Sequence, residues 1–131
     1  MKLLLDTCTL LWALSDNDIL PNEIKAMIDD ENNDIYYSFT SLWEIQIKNQ
    51  KNKELMPVCA EDIADATFNA GVEVIQFDLL DLHILKDIIN QNIHKDPFDH
   101  MLLAMARANK MTLVTHDKVL GEYKGVKVLC Y

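Results

Sequence analysis

The chain has 131 residues, half of them hydrophobic, enough for one domain with a real core. Its net charge of −9 and pI near 4.7 exclude a domain that holds a polyanion merely by being basic. No stretch approaches the run of about 20 apolar residues that a membrane span needs.

Met1 leads straight into "KLLLD" without the longer apolar stretch and small-residue cleavage site of a signal peptide, so a cytoplasmic location is expected. Cys8, Cys59 and Cys130 are odd in number and lack CxxC spacing, which suits thiols in a reducing compartment. No repeat, low-complexity segment or Pro/Gly-rich linker divides the chain, and one domain over residues 1–131 is expected.

Leu3 to Leu5 form a short apolar run ended by Asp6, the pattern of a strand buried on both faces. "TLLWALS" reads as helical and "SDND" as a turn. "PNEIKAMIDD" opens a second helix, with Pro21 at the first helical position and Ile24, Met27 and Ile28 on one face. Ile35 to Ser38 read as a strand. In "TSLWEIQIKNQ" the alternation of Trp43, Ile45 and Ile47 suits a strand, but a Thr40 or Ser41 cap before Leu42, Trp43 and Ile45 suits a helix, and helix is the reading adopted. "AEDIADATFNAG" is helical and stops at Gly71, before the β-rich "VEVIQF". Another amphipathic helix, "DLLDLHILKDIINQN", is followed by a last long one running to about Asn109, then by strands "MTLVTHD" and "VKVLCY". Strands alternating with helices predict an α/β fold, a mainly parallel sheet with helices on both faces.

In such sheets, sites form beyond the carboxyl ends of the strands, where strand order reverses. Asp6 and Asp117 fall there. Taken singly, each is explained as well by the frequency of aspartate in turns. The segment "HKDPFDHMLLAMA", His94 to Ala106, adds two more acids. Asp96 is an N-cap before Pro97, and Asp99 is a first-turn acid favoured by the helix dipole, but also one aimed toward Asp6 and Asp117. Glu44, between Trp43 and Ile45, supplies a further carboxylate, although such a residue taken alone is more often on the surface. Converging carboxylates repel one another unless a cation intervenes. Oxygen-only ligands select Mg²⁺ or Mn²⁺, which activate water for attack on phosphorus and hold phosphate oxygens without a basic surface.

"LLLDTCTLLWALS", "SLWEIQIK", "HKDPFDHMLLAMA" and "TLVTHD" are similar, in order and spacing, to the four acidic motifs of PIN-domain ribonucleases, specifically VapC-type toxins of toxin–antitoxin pairs. The resemblance covers nearly the whole chain. It implies a PIN-like α/β/α fold with a five-stranded parallel sheet, an Mg²⁺- or Mn²⁺-dependent endoribonuclease acting on RNA, a homodimer, and inhibition by a cognate antitoxin protein. By position, Asp6, Glu44, Asp99 and Asp117 match the acids of the four motifs and would hold the metal. Asp96 belongs to the "HRDPFDR"-like form of the third motif in a supporting or capping role. Thr7 and Thr115, beside acids, would orient them or a metal-bound water.

The sequence departs from its relatives at Cys8, where "DTH" is common, and at His100 and His116, where arginine is common. Two permanent cations are thereby lost, since histidine is mostly neutral at pH 7, and His116→Arg is expected to improve cleavage. His94, His100, His116 and Cys8 raise a zinc reading, but their spacing is not compact. The lysines from Lys48 to Lys53 form a basic strip whose ordinary reading is a solvated helix end. Trp12, Trp43, Phe98, Met101 and Met105 are expected in the core or a dimer contact, and Arg107 on a solvated helix face. Two alternatives stand beside the nuclease. A receiver-like signalling module needs paired acids after the first strand, where "LLLDTC" offers one, and a DxDxT phosphatase fails likewise at Cys8. A catalytically silent partner-binding domain would use the acids as caps alone.

Overall fold

The computed structural model describes residues 1–16 and 18–131. Five strands, β1 (Lys2–Leu5), β2 (Asp34–Ser38), β3 (Glu73–Ile75), β4 (Thr112–Thr115) and β5 (Lys127–Cys130), lie in the order β3-β2-β1-β4-β5, and all four pairings are parallel. Six helices connect them: α1 (Thr7–Leu14), α2 (Asn22–Asp29), α3 (Phe39–Lys51), α4 (Ala60–Ala70), α5 (Leu79–Asn90) and α6 (Pro97–Ala108). The order reverses between β1 and β4, which places the ends of these two strands at the switch point.

The alternation of side chains along β1 divides the core into two halves. Leu4 joins Ile88 of α5, the inner face of α6, Leu113 and Tyr123 on one side of the sheet. Leu3 and Leu5 join Leu10, Ile24, Leu42, Ile45, Ile63 and Val114 on the other. The result is a three-layer α/β/α sandwich, and all three leucines are fully buried because helices cover both faces. Truncating any of them to alanine costs about 2–5 kcal/mol.

The helical reading of "TSLWEIQIKNQ" holds, with Leu42 and Ile45 buried on one side, but the cap is Ser38, whose hydroxyl accepts the Thr40 N–H, and Thr40 and Ser41 lie inside the helix instead of capping it. Gly71 takes the left-handed conformation at φ 73° and closes α4 as expected. Three details differ from the sequence reading. Pro21 precedes α2 instead of opening it, its carbonyl accepting the N–H groups of Ile24 and Lys25. Of "VEVIQF" only Glu73–Ile75 pairs, because β3 lies at the sheet edge and has β2 alone as a partner. Trp43 is 60% exposed and belongs to no core, since it points away from the face that carries Leu42 and Ile45. Met101 and Met105 are buried as expected, whereas Trp12 and Phe98 are half-buried.

Candidate metal centre at the carboxyl end of the sheet

Asp6 follows β1 and caps α1. Its Oδ1 accepts the Thr9 N–H at 2.8 Å, and its Oδ2 accepts the Thr115 hydroxyl at 2.5 Å from the end of neighbouring β4. Asp6 is 94% removed from solvent yet has both carboxylate oxygens satisfied. The next residue, Thr7, donates its hydroxyl to Glu44 Oε1 at 2.7 Å and lies 2.9 Å from the Ser41 hydroxyl. One dipeptide after β1 therefore ties together the first two acids. Glu44 Oε2 carries the second contact, an ion pair with Lys48 one helical turn later at 2.6 Å.

Asp96 is the N-cap of α6, as its sequence suggests, accepting the N–H groups of Phe98 and Asp99 with Pro97 in the first turn. Asp99 is different. Its Oδ2 meets His94 Nε2 at 3.0 Å, and its carboxyl is raised to about 6, chiefly by burial and further by the negative charges of Asp96 and Glu44; the His94 contact acts the other way. Asp117 ends its own loop: its N–H donates to Thr115 Oγ1, while its carboxylate caps the 3-10 turn Lys118–Glu122 through the Val119 N–H.

Cys8 shows which of these acids share one neighbourhood. Its thiol is pushed up to about 11 by burial, then by Asp6, Glu44 and Asp99, with Lys48 opposing. Three carboxylates on three elements thus act on a single atom. Asp117 is joined to them through Thr115 rather than through its own carboxylate. Among the described residues, no three His, Cys, Asp or Glu side chains stand close enough together to grip one ion, so the acids are neighbours without forming a finished cage. Their chemistry nevertheless fits a hard divalent cation. The donors are all oxygen, Asp99 lies beside acids without a permanent cation of its own, and the counter-ion of Glu44 is a half-exposed lysine that solvent can receive.

The histidines do not replace the arginines of relatives in a simple way. His100 is 93% buried, with Nε2 2.9 Å from the His94 carbonyl oxygen, and cannot reach a phosphate from there. His116 is exposed, with its ring edge-on to Trp12 at 4.9 Å. Cys8 and the three histidines assemble no zinc site among the described residues. Arg107 faces Asp87 of α5 at 3.5 Å and lies against Gly125. Lys48 and Lys51 occupy the last turn of α3, so the first lysine of the basic strip is committed to Glu44. The His94 network, with Tyr123 as its far end, was not readable in the sequence, because the tyrosine lies beyond β4 and no spacing links it to the acidic motifs.

Close by, Phe39, Leu42, Trp43, Ala60, Ala64 and Phe77 line an apolar groove of about 550 Å³, and Trp43 meets Phe98 edge-on at 5.1 Å.

Solved structures with this fold include VapBC2 from Rickettsia felis bound to a DNA fragment from its promoter, with a TM-score of 0.73, 20% identity, and coverage of 99% of this chain and 98% of the other. DNA-bound VapBC from Salmonella typhimurium gives a TM-score of 0.72 at 18% identity, with 99% and 98% of the two chains covered. FitAcB from Neisseria gonorrhoeae gives 0.62 at 18% identity, covering 97% and 96%. No curated protein matches the chain. The sequence model of the PIN domain matches residues 3–126, which takes in β1 from Leu3 onward, β2 to β4 whole and all of the acids described above, and the chain accordingly belongs to the PIN domain family.

Proposed function

We propose that the chain is an Mg²⁺- or Mn²⁺-dependent endoribonuclease, the toxin of a toxin–antitoxin pair, working in the cytoplasm as a homodimer and silenced by its cognate antitoxin. The reading is supported by membership of the PIN family and by the likeness to toxin–antitoxin complexes. The observation that carries it is the hydrogen-bonded linkage at the switch point of the sheet, in which Thr115 joins Asp6 to the Asp117 main chain and Thr7, next to Asp6, holds Glu44.

Asp6, Glu44 and Asp99 would hold the cation, with Asp117 at the rim, and the bound ion would supply an acidified water and stabilisation of the leaving oxygen for phosphodiester hydrolysis. The chain's own residues prepare that chemistry. Thr115 fixes the carboxylate of Asp6, Thr7 fixes that of Glu44, and Asp96 anchors the helix that presents Asp99. Lys48, released from Glu44, offers an ammonium group to a phosphate oxygen.

The test is cleavage of a fluorophore-labelled RNA by the purified chain with Mg²⁺, Mn²⁺ or chelator, beside Asp6→Asn. Cleavage that needs the ion and vanishes in the variant supports the reading; cleavage retained by Asp6→Asn overturns it. A catalytically silent, partner-binding domain is favoured by one fact, that every acid already has a partner inside the chain. Millimolar Mn²⁺ separates the two: a silent domain gains no thermal stability, and a metal-binding one does.

A further inference from the structure

We propose that His94 and Tyr123 form a positioning pair, in which the tyrosine hydroxyl fixes the imidazole tautomer and the imidazole fixes the carboxylate of Asp99 for cation binding. The inference rests on the metal reading above, and adds to it Tyr123, which no acidic motif contains, and His94, which opens the third motif but is not one of its acids.

The hydrogen-bond partners point to one placement of the protons. His100 Nε2 is 2.9 Å from the main-chain oxygen of His94, which can only accept, so that nitrogen carries a hydrogen. The same nitrogen is 3.2 Å from the Tyr123 hydroxyl, and the main-chain N–H of His94 donates to that hydroxyl at 3.3 Å. The one hydrogen of His100 Nε2 is engaged chiefly by the nearer main-chain oxygen, so the main-chain N–H of His94 is the firm donor to the tyrosine oxygen, and we assign the tyrosine's own hydrogen to His94 Nδ1, its shortest contact at 2.7 Å. Nδ1 is then an acceptor, and the neutral ring carries its hydrogen on Nε2, directed at Asp99 Oδ2 at 3.0 Å. The chain of bonds runs one way, from tyrosine to histidine to carboxylate.

Packing holds this arrangement in place. The rings of His94, His100 and Tyr123 meet edge to face with centroids 5.2 to 6.1 Å apart, and Tyr123 and His100 are buried. His94 lies in the loop before α6, and Tyr123 reaches it from the far end of the 3-10 turn. The carboxylate is thus gripped by one oxygen only. Asp99 Oδ1 accepts no hydrogen bond among the described residues and is left for a ligand. Outer partners of metal-binding carboxylates typically change affinity by about 10- to 100-fold when removed.

The experiment measures Mn²⁺ affinity by calorimetry for the purified chain and for Tyr123→Phe, His94→Ala, His94→Gln and the double variant His94→Gln/Tyr123→Phe, alongside ¹⁵N NMR of the metal-free histidines. Expected are a Kd raised about 10-fold by Tyr123→Phe and about 10- to 100-fold by His94→Ala. Rescue is expected in His94→Gln, whose amide N–H reaches the same carboxylate, and the double variant should match it because an amide has no tautomer to fix. The NMR spectrum should show His94 protonated at Nε2 alone, and mixed tautomers in Tyr123→Phe. Variants that bind Mn²⁺ like the parent, even if they melt earlier, confine the network to stability and overturn the proposal alone, as does an Nδ1-protonated His94. A parent chain that takes up no Mn²⁺ overturns the metal reading and this proposal together.

Discussion

Thr115 hands its hydroxyl hydrogen to Asp6 at 2.5 Å, and receives in turn the main-chain N–H of Asp117 at 3.0 Å. The end of β4 thereby controls the acid at the end of β1. Thr115→Val keeps the shape and removes the hydroxyl, leaving a buried carboxylate oxygen and a main-chain N–H without their partner. A stability loss of about 1–3 kcal/mol is expected, together with a cleavage rate roughly tenfold lower. Urea denaturation and single-turnover RNA cleavage check the two halves separately.

Lys48 stands in for a cation beside Glu44, which is 93% buried. Lys48→Ala should destabilise the metal-free chain by about 1 kcal/mol, the modest value reflecting a lysine that is half in solvent. Saturating Mn²⁺ should shrink that deficit, because the ion takes over the neutralisation of Glu44. Melting curves with chelator and with Mn²⁺ would show this, and an equal deficit in both would count against a shared role.

Asp99 sets a pH dependence of defined sign. Its carboxyl, ordinarily near 3.8, is raised to about 6 in the folded chain, so the folded state holds that proton more tightly than the unfolded one. The resulting stabilisation is fully present below the unfolded value and is lost as pH rises through about 6. Asp99→Asn keeps an oxygen for His94 and never ionises. Without metal it should therefore be more stable than the parent at about pH 7.5, by roughly 1–3 kcal/mol, and the advantage should vanish near pH 4. With Mn²⁺ present the order should reverse at neutral pH. Thermal melts across that range are the check.

His116 is exposed beside Trp12, where a longer side chain has room. His116→Arg supplies a permanent cation able to grip phosphate through two parallel hydrogen bonds, and should raise RNA cleavage severalfold at low ionic strength, less so at high. His100→Arg should do the opposite, because a buried guanidinium would break the bonds from His100 to His94 and Tyr123. Rate constants for both variants at two salt concentrations decide it.

What could be read from the chain before folding was whatever local rules govern. The apolar run Leu3–Leu5, the cap and proline at Asp96 and Pro97, and the glycine stop at Gly71 are each settled within a few residues, and each appears where the sequence puts it. The length of β3 was not readable, since pairing at an edge depends on a neighbour 35 or more positions away in the chain, as Tyr36 is from Glu73. Of the two places expected for Trp43, core or dimer contact, the fold removes the core: hydrophobicity says that burial is favourable, but only the orientation of α3 on the sheet decides which face receives it. At the candidate site, Asp6 and Glu44 were legible as acids, but their engagement by Thr115, Thr7 and Lys48 required the fold. The one-sided grip of His94 on Asp99 could not be foreseen at all, because its origin is a tyrosine beyond the last acidic motif.

The pairing of β1 with β4 also bears on the life of the newly made chain. Asp6 emerges from the ribosome 109 residues ahead of Thr115, the threonine that orients it. A polypeptide that stops between α3 and α6 carries Asp6 and Glu44 and cannot yet align them. If the proposed activity is harmful to RNA, this ordering makes the nascent product inert: the cell's own messages and translation machinery are spared until β4 has been made, which leaves an interval for any neutralising protein to be made alongside it.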